Sequence, residues 1–174
     1  MANVPEKIIN FQCFVDGSTV LAGMVDATLP DIQFMTESIE GAGIAGVIES
    51  ITLGHTDAMS MSLNFRTQTD QNLSFTAPKC YALELRGALQ ETDPSTKQIA
   101  VVPVTIAVRA WPKKVGLGKM AVAKTTDTNN EFTVDFIKVT RKGKTHIEID
   151  KLNMKHIVDG TDYLAEVRAA MGKN

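Results

Sequence analysis

Apolar and polar residues alternate at period two along most of this chain, a rhythm that predicts strands with one buried face. It is cleanest from Ala58 to Arg66, where Met59, Met61, Leu63 and Phe65 alternate with Ser60, Ser62, Asn64 and Arg66. Tyr81, Leu83, Leu85 and Leu89 alternate with Ala82, Glu84, Arg86 and Gln90 in the same way. Earlier, the β-rich run from Ile8 to Val15 meets Asp16-Gly17, a strong hairpin signal, and a second strand is expected from Ser18 to Ala27, ended by Leu29-Pro30. From Asp31 to Glu37 the chain reads as extended again. It loosens through the glycine-rich segment 38–46 into the β-branched run Val47 to Leu53, which Gly54 is expected to break.

Further on, Gln68 to Ala77 is polar enough for a short helix before Pro78. Ile99 to Trp111 is the most continuous β run, although Pro103 cannot donate to a ladder and predicts an edge or a bulge there. Phe132, Val134 and Phe136 mark another strand, and the turn at Arg141-Lys142-Gly143-Lys144 leads into His146 to Asp150. A helix is expected over 161–171, with Thr161 as N-cap, Asp162 on the positive end of its dipole and Gly172 as its stop. Leu164, Val167 and Met171 then form one apolar stripe for packing on a sheet. About seven short strands without intervening helices exclude a parallel α/β fold. The expected class is mainly β: an antiparallel β-sandwich or barrel with a flanking C-terminal α-helix, in a single domain over 1–174.

Composition changes this picture little. With 44% hydrophobic and 22% charged residues the chain can bury an ordinary core, and a net charge of −2 gives no general pull toward nucleic acid. Cys13 and Cys80 are far apart and lack zinc spacing, so neither a disulfide framework nor a structural metal is expected. No apolar run is long enough to span a membrane, and Glu6 and Asn10 interrupt any secretory leader, so synthesis as a soluble cytoplasmic protein is expected.

Candidate chemistry is thin. Gly41-Ala42-Gly43-Ile44-Ala45-Gly46 has the spacing of a dinucleotide fingerprint, but that motif needs a following helix, and the strand-like Val47 to Thr52 follows here. His55 with Asp57, and His146 with Glu148, lack a third ligand in sequence. The carboxylate pairs Glu37/Glu40 and Glu148/Asp150 suit a wet face better than acid-base work. The basic residues from Lys138 to Lys155 lack the interleaved aromatics of a single-strand binder. The methionines suit core filling or interfaces that repack. No cofactor and no catalytic residue is assigned.

One ordered set of short motifs does carry meaning: Thr28-Leu29-Pro30, Glu37, Gly41-Ala42-Gly43, Leu53-Gly54, Glu148-Ile149-Asp150, Asn153-Met154, then Asp159, Gly160, Asp162, Leu164, Arg168 and Gly172. In this order they resemble the major tail tube proteins of contractile-tailed phages and R-type bacteriocins. The resemblance implies a structural, non-enzymatic protomer that assembles into hexameric rings, stacked helically as the inner tube through which DNA or effectors pass. It implies as partners further copies of the chain, the tail sheath, baseplate and terminator proteins, and a tape-measure protein in the lumen. It places the protein in a virion tail or tail-like particle assembled in the bacterial host cytoplasm, without membrane contact or sequence-specific DNA binding.

On that basis loop 38–46 is expected to protrude and contact a neighbouring subunit or ring through Glu37, Glu40, Gly41, Ala42, Gly43, Ile44 and Gly46. A basic lumen would grip phosphate, so Glu84, Glu91, Glu131 and Asp135 are expected to face inward. A second reading, a small β-sandwich ligand-binding module or enzyme, requires a concave pocket with convergent polar groups on a monomer.

Overall fold

The computed structural model describes residues 3–17, 19–21 and 23–173. Its elements in chain order are β1 (Val4–Val15), β2 (Thr19–Val20), β3 (Met24–Thr28), β4 (Phe34–Ile39), β5 (Ile48–Thr56), β6 (Met59–Phe65) and α1 (Asp70–Ser74). Then follow β7 (Tyr81–Thr92), β8 (Ile99–Val115), β9 (Thr128–Arg141), β10 (Lys144–Asp150), β11 (Lys155–Val158), β12 (Thr161–Asp162) and α2 (Ala165–Ala170).

Ten strands form one antiparallel sheet, ordered β12-β11-β10-β9-β8-β7-β1-β2, with β6 and then β3 branching from β9. The fork lies at Asp135. Met59 of β6 pairs with Val134, Asp150 of β10 pairs with Phe136, and β8 skips Asp135 in a bulge between Arg109 and Ala110. One strand thus serves two partners along one edge, and the β3–β6 branch folds over β7 and β8 around a shared core. The alternation in β6 and β7 does what it predicts: Met59, Met61, Leu63, Phe65, Tyr81, Leu83 and Leu85 are all buried, together with Phe75, Phe132, Val134 and Ile137.

Two of the following three expectations are corrected and one is met. The strand expected over 18–27 is two, β2 and β3, interrupted between Val20 and Met24. Pro103 lies inside β8 opposite Ala88, one residue beyond the end of the β8–β9 ladder at Val104, so it stands at an edge on that side as its missing donor predicts. The helix is shorter than 161–171: Thr161 and Asp162 pair with Val158 and Ile157 as β12, and α2 starts after Leu164 without a side-chain cap.

Candidate assembly site

The segment that stands apart is β4–β5, a two-stranded sheet separate from the main one. Its register runs Thr36 to Ile51, Glu37 to Ser50, Ser38 to Glu49 and Ile39 to Ile48, so the glycine-rich loop is the tip of a hairpin. Every residue of β4 and six of the nine of β5 are exposed, including Phe34, Met35, Ile39, Ile48, Ile51 and Leu53. An isolated two-stranded hairpin is marginal in water, and an apolar surface of this kind marks a contact site. Gly43 (φ 89°) and Gly46 (φ 137°) turn the chain where a side chain would be strained.

Among the described residues the hairpin is held at its root alone, and the C-terminal segment holds it. Gly54 does not end β5. It sits at φ 67° in a bulge where Thr52 to His55 lie between the paired positions Ile51 and Thr56. Leu164, 4% exposed, rests against this bare backbone: a Cβ on Gly54 would stand 2.5 Å from Leu164 Cγ. His156 is buried with its ring 5.7 Å from that of Phe34. Lys151 Nζ donates to the carbonyls of Thr56 and Asp57, and the Asp57 N–H donates to the Gln33 carbonyl at 2.8 Å.

The C-terminal motif is the machinery that places Leu164. Asp150 closes the turn by accepting from Asn153 N at 2.9 Å and Asn153 Nδ2 at 2.7 Å. Asp162 accepts from Leu164 N at 3.0 Å and from Arg168 Nη2 at 2.7 Å, while Arg168 Nη1 donates to the Met154 carbonyl at 2.7 Å. The Arg168 guanidinium, and then the amide donors of Leu164 and His156, hold the Asp162 carboxyl below its ordinary range. A carboxylate whose folded pKa is depressed contributes stability above its unfolded pKa and loses it as pH falls through the folded one. Acidification below about pH 4 is therefore expected to loosen the segment around Leu164, read as faster amide exchange at Leu164 and Arg168. Asp162→Asn should flatten that acid dependence, and an unchanged profile in the variant would contradict this account.

The structure places the other expected residues as follows. Glu37, Glu40, Gly41, Ala42, Gly43, Ile44 and Gly46 are all exposed on the hairpin. Of the helix stripe, Leu164 is buried just before α2, Val167 is half-buried, and Met171 is 57% exposed, so the stripe does not pack as a unit. Glu84, Glu131 and Asp135 lie on the non-core side of the main sheet. Their carboxylates meet Arg86 Nε at 2.6 Å, Lys114 Nζ at 3.0 Å and Trp111 Nε1 at 3.2 Å, so Glu84 and Glu131 are each paired with a cation and Asp135 with a neutral indole. Glu91 departs further: it is 2% exposed, on the core face, beneath Arg141 and Lys142 (Lys142 Nζ at 2.9 Å). Lys142 and Arg141 hold its carboxyl below the ordinary range against the desolvation that would raise it, and it adds no free charge to an exposed wall.

His146 shares Asp159 with Lys144, and Glu148 pairs with Lys138 at 3.1 Å. Among the described residues no three His, Cys, Asp or Glu side chains form a metal-sized group. What sequence reasoning missed is Gly54, Leu164, His156 and Lys151 acting together; only the shared presence of Leu53-Gly54 and the D-G-x-D-x-L run pointed to it.

The chain is a mainly antiparallel, forked β-domain that leaves an apolar hairpin in water, the form of a subunit whose covering surface lies outside the chain. The sequence profile of the phage tail tube protein FII family matches residues 5–172, and the chain belongs to that family. It is a tail tube protein. Over 174 residues it is 25% identical to the tail tube protein of Escherichia phage P2, spanning 97% of this chain and 98% of that one. The fold is also similar to a chain of the extended sheath–tube complex of the PVC extracellular contractile injection system (TM-score 0.53, 11% identity, 75% of this chain and 87% of that one). A chain of the PVC sheath/tube terminator gives TM-score 0.53 at 12% identity, over 78% of this chain and 96% of that one.

Proposed function

We propose that copies of this chain close into six-membered rings that stack as the inner tube of a contractile tail or tail-like particle, and that the hairpin carrying residues 38–46 makes the contact between rings. The observation that carries this reading is the hairpin itself: a sheet of two strands whose apolar side chains are left in water, fixed at its root. A second copy supplies the surface it lacks. Within a ring, the open edges do the joining. Among the described residues β3 has no partner on its side away from β6, and β1 has none beyond β2 on its side away from β7. Those edges flank an apolar groove of about 400 Å³ lined by Ile8, Phe11, Ala27, Leu29, Val104 and Ile106. Unpaired edges are a liability in a monomer and a bonding surface when rotation between subunits closes a ring.

The chain acts as one domain and catalyses nothing. The face of β7, β8 and β9 away from the core, with Glu84, Glu131 and Asp135, lines the lumen, where carboxylates, two of them paired with cations, let DNA or a tape-measure protein pass without capture by phosphate contacts. Sheath, baseplate and terminator proteins bound the tube outside and at its ends, and assembly takes place in the host cytoplasm. Deleting Gly41 to Gly46 is expected to leave a folded chain with an unchanged circular dichroism spectrum that forms no tubes by negative-stain electron microscopy. Normal tubes from the deletion would refute the hairpin assignment.

A further inference from the structure

We infer that the counter-surface for the hairpin is the β8–β9 loop, residues 116–127, of a second copy in the adjacent ring. This deepens the reading of the hairpin as the ring-to-ring contact and rests on it. The first observation is a segregation of charge that the small net charge hides. No lysine or arginine occurs between Ile8 and Phe65, a stretch with seven carboxylates, three of which (Glu37, Glu40 and Glu49) are on the hairpin. The β8–β9 loop is the reverse: Lys119 and Lys124 are its charges before Asp127, and neither makes an ion pair among the described residues. Both surfaces also present apolar side chains to water. Met120 and Val122 at the loop's tip are 91% and 96% exposed, with Leu117 also in water.

The second observation is position. The hairpin root, Asp57, lies two residues before β6, and the loop's base lies just past its other end, where the Asp127 N–H donates to the Arg66 carbonyl at 3.1 Å. Hairpin and loop therefore leave opposite ends of one strand of seven residues, about 20 Å apart. Complementary surfaces at opposite poles make a heterologous contact that repeats by stacking. The third is rigidity. The loop is tied by Lys119 N to the Thr126 carbonyl at 2.8 Å, by Gln68 Nε2 to the Leu117 carbonyl at 2.6 Å, and by Gly118, where a Cβ would stand 2.1 Å from the Thr126 carbonyl oxygen. Its exposed tip is thus presented with little ordering cost on binding.

The test is a charge reversal on the intact chain. Lys119→Glu with Lys124→Glu, or Glu40→Lys with Glu49→Lys, should each raise the concentration needed for tube assembly by about tenfold or more while leaving the thermal melt of the dispersed chain unchanged. All four substitutions together reverse both poles and should bring that concentration back to within about threefold of the parent. Either pair leaving assembly unaltered, or the fourfold chain failing to recover, overturns this pairing. If the 41–46 deletion blocks assembly while the reversals do not, the hairpin reading stands and this counter-surface falls. If the deletion still forms tubes, both fall.

Discussion

Truncating Phe132 to alanine is expected to destabilise the folded chain by about 3–5 kcal/mol, in the upper range for core truncations. Phe132 is fully buried in the middle of β9, the strand where the sheet forks. Its ring meets Phe75 edge-on at 5.0 Å, and Phe75 in turn meets Tyr81 at 5.1 Å. The cluster also fixes α1, because the Tyr81 hydroxyl donates to the Ser74 carbonyl and Asn72 Nδ2 donates to Thr128 Oγ1 at 2.7 Å. The cavity would open among side chains from β6, β7, β9 and α1, which cannot all relax toward it. For a chain of this size the melting temperature should fall by about 10 °C, measured at a concentration too low for rings to form. A loss under about 1 kcal/mol would mean that the core collapses around the site and that β9 is not its hub.

How much of this was legible follows from which groups act within one element. The burial of Met59 to Phe65 and of Tyr81 to Leu85 could be read directly, since period-two alternation is a property of single strands. Glu91 shows the limit. It lies in phase with Leu83, Leu85 and Leu89, so its strand already placed it inward, but its partners Arg141 and Lys142 are a whole strand pair away and nothing local announces them. Weighing its charge above its phase put it on the wrong face.

The hairpin was half visible. Its glycines marked a loop, whereas strands apolar on both faces read most simply as buried ones. They are exposed here because their covering surface lies outside the chain. The helix start failed for a similar reason. Thr161 and Asp162 have the composition of a cap, but pairing with Ile157 and Val158 takes their backbone, and Asp162 spends its carboxylate on the Leu164 amide and Arg168. Charge segregation was present in the sequence from the outset, and a summed net charge cancels it.

Replacing Gly54 with alanine should be nearly as damaging as a core truncation, although the residue lies in an exposed strand. Two costs add. At φ 67° an L-residue carries left-handed strain of about 1–2 kcal/mol. The new methyl would also stand within 3 Å of Leu164 Cγ, Cδ1 and Cδ2, and overpacking of that kind costs about 1–3 kcal/mol. The atoms in the way belong to a side chain, so Leu164 yields first. Its displacement frees the hairpin root and breaks the aim on which stacking depends. Gly54→Ala should therefore abolish tubes and speed amide exchange across β4 and β5 while leaving β6 and β7 protected. Leu164→Ala alone leaves a cavity over Gly54, which the alanine methyl partly fills in the double variant. The two losses should then combine to less than their sum. Strict additivity, or tubes of normal yield from Gly54→Ala, would show that the hairpin is not held by this contact.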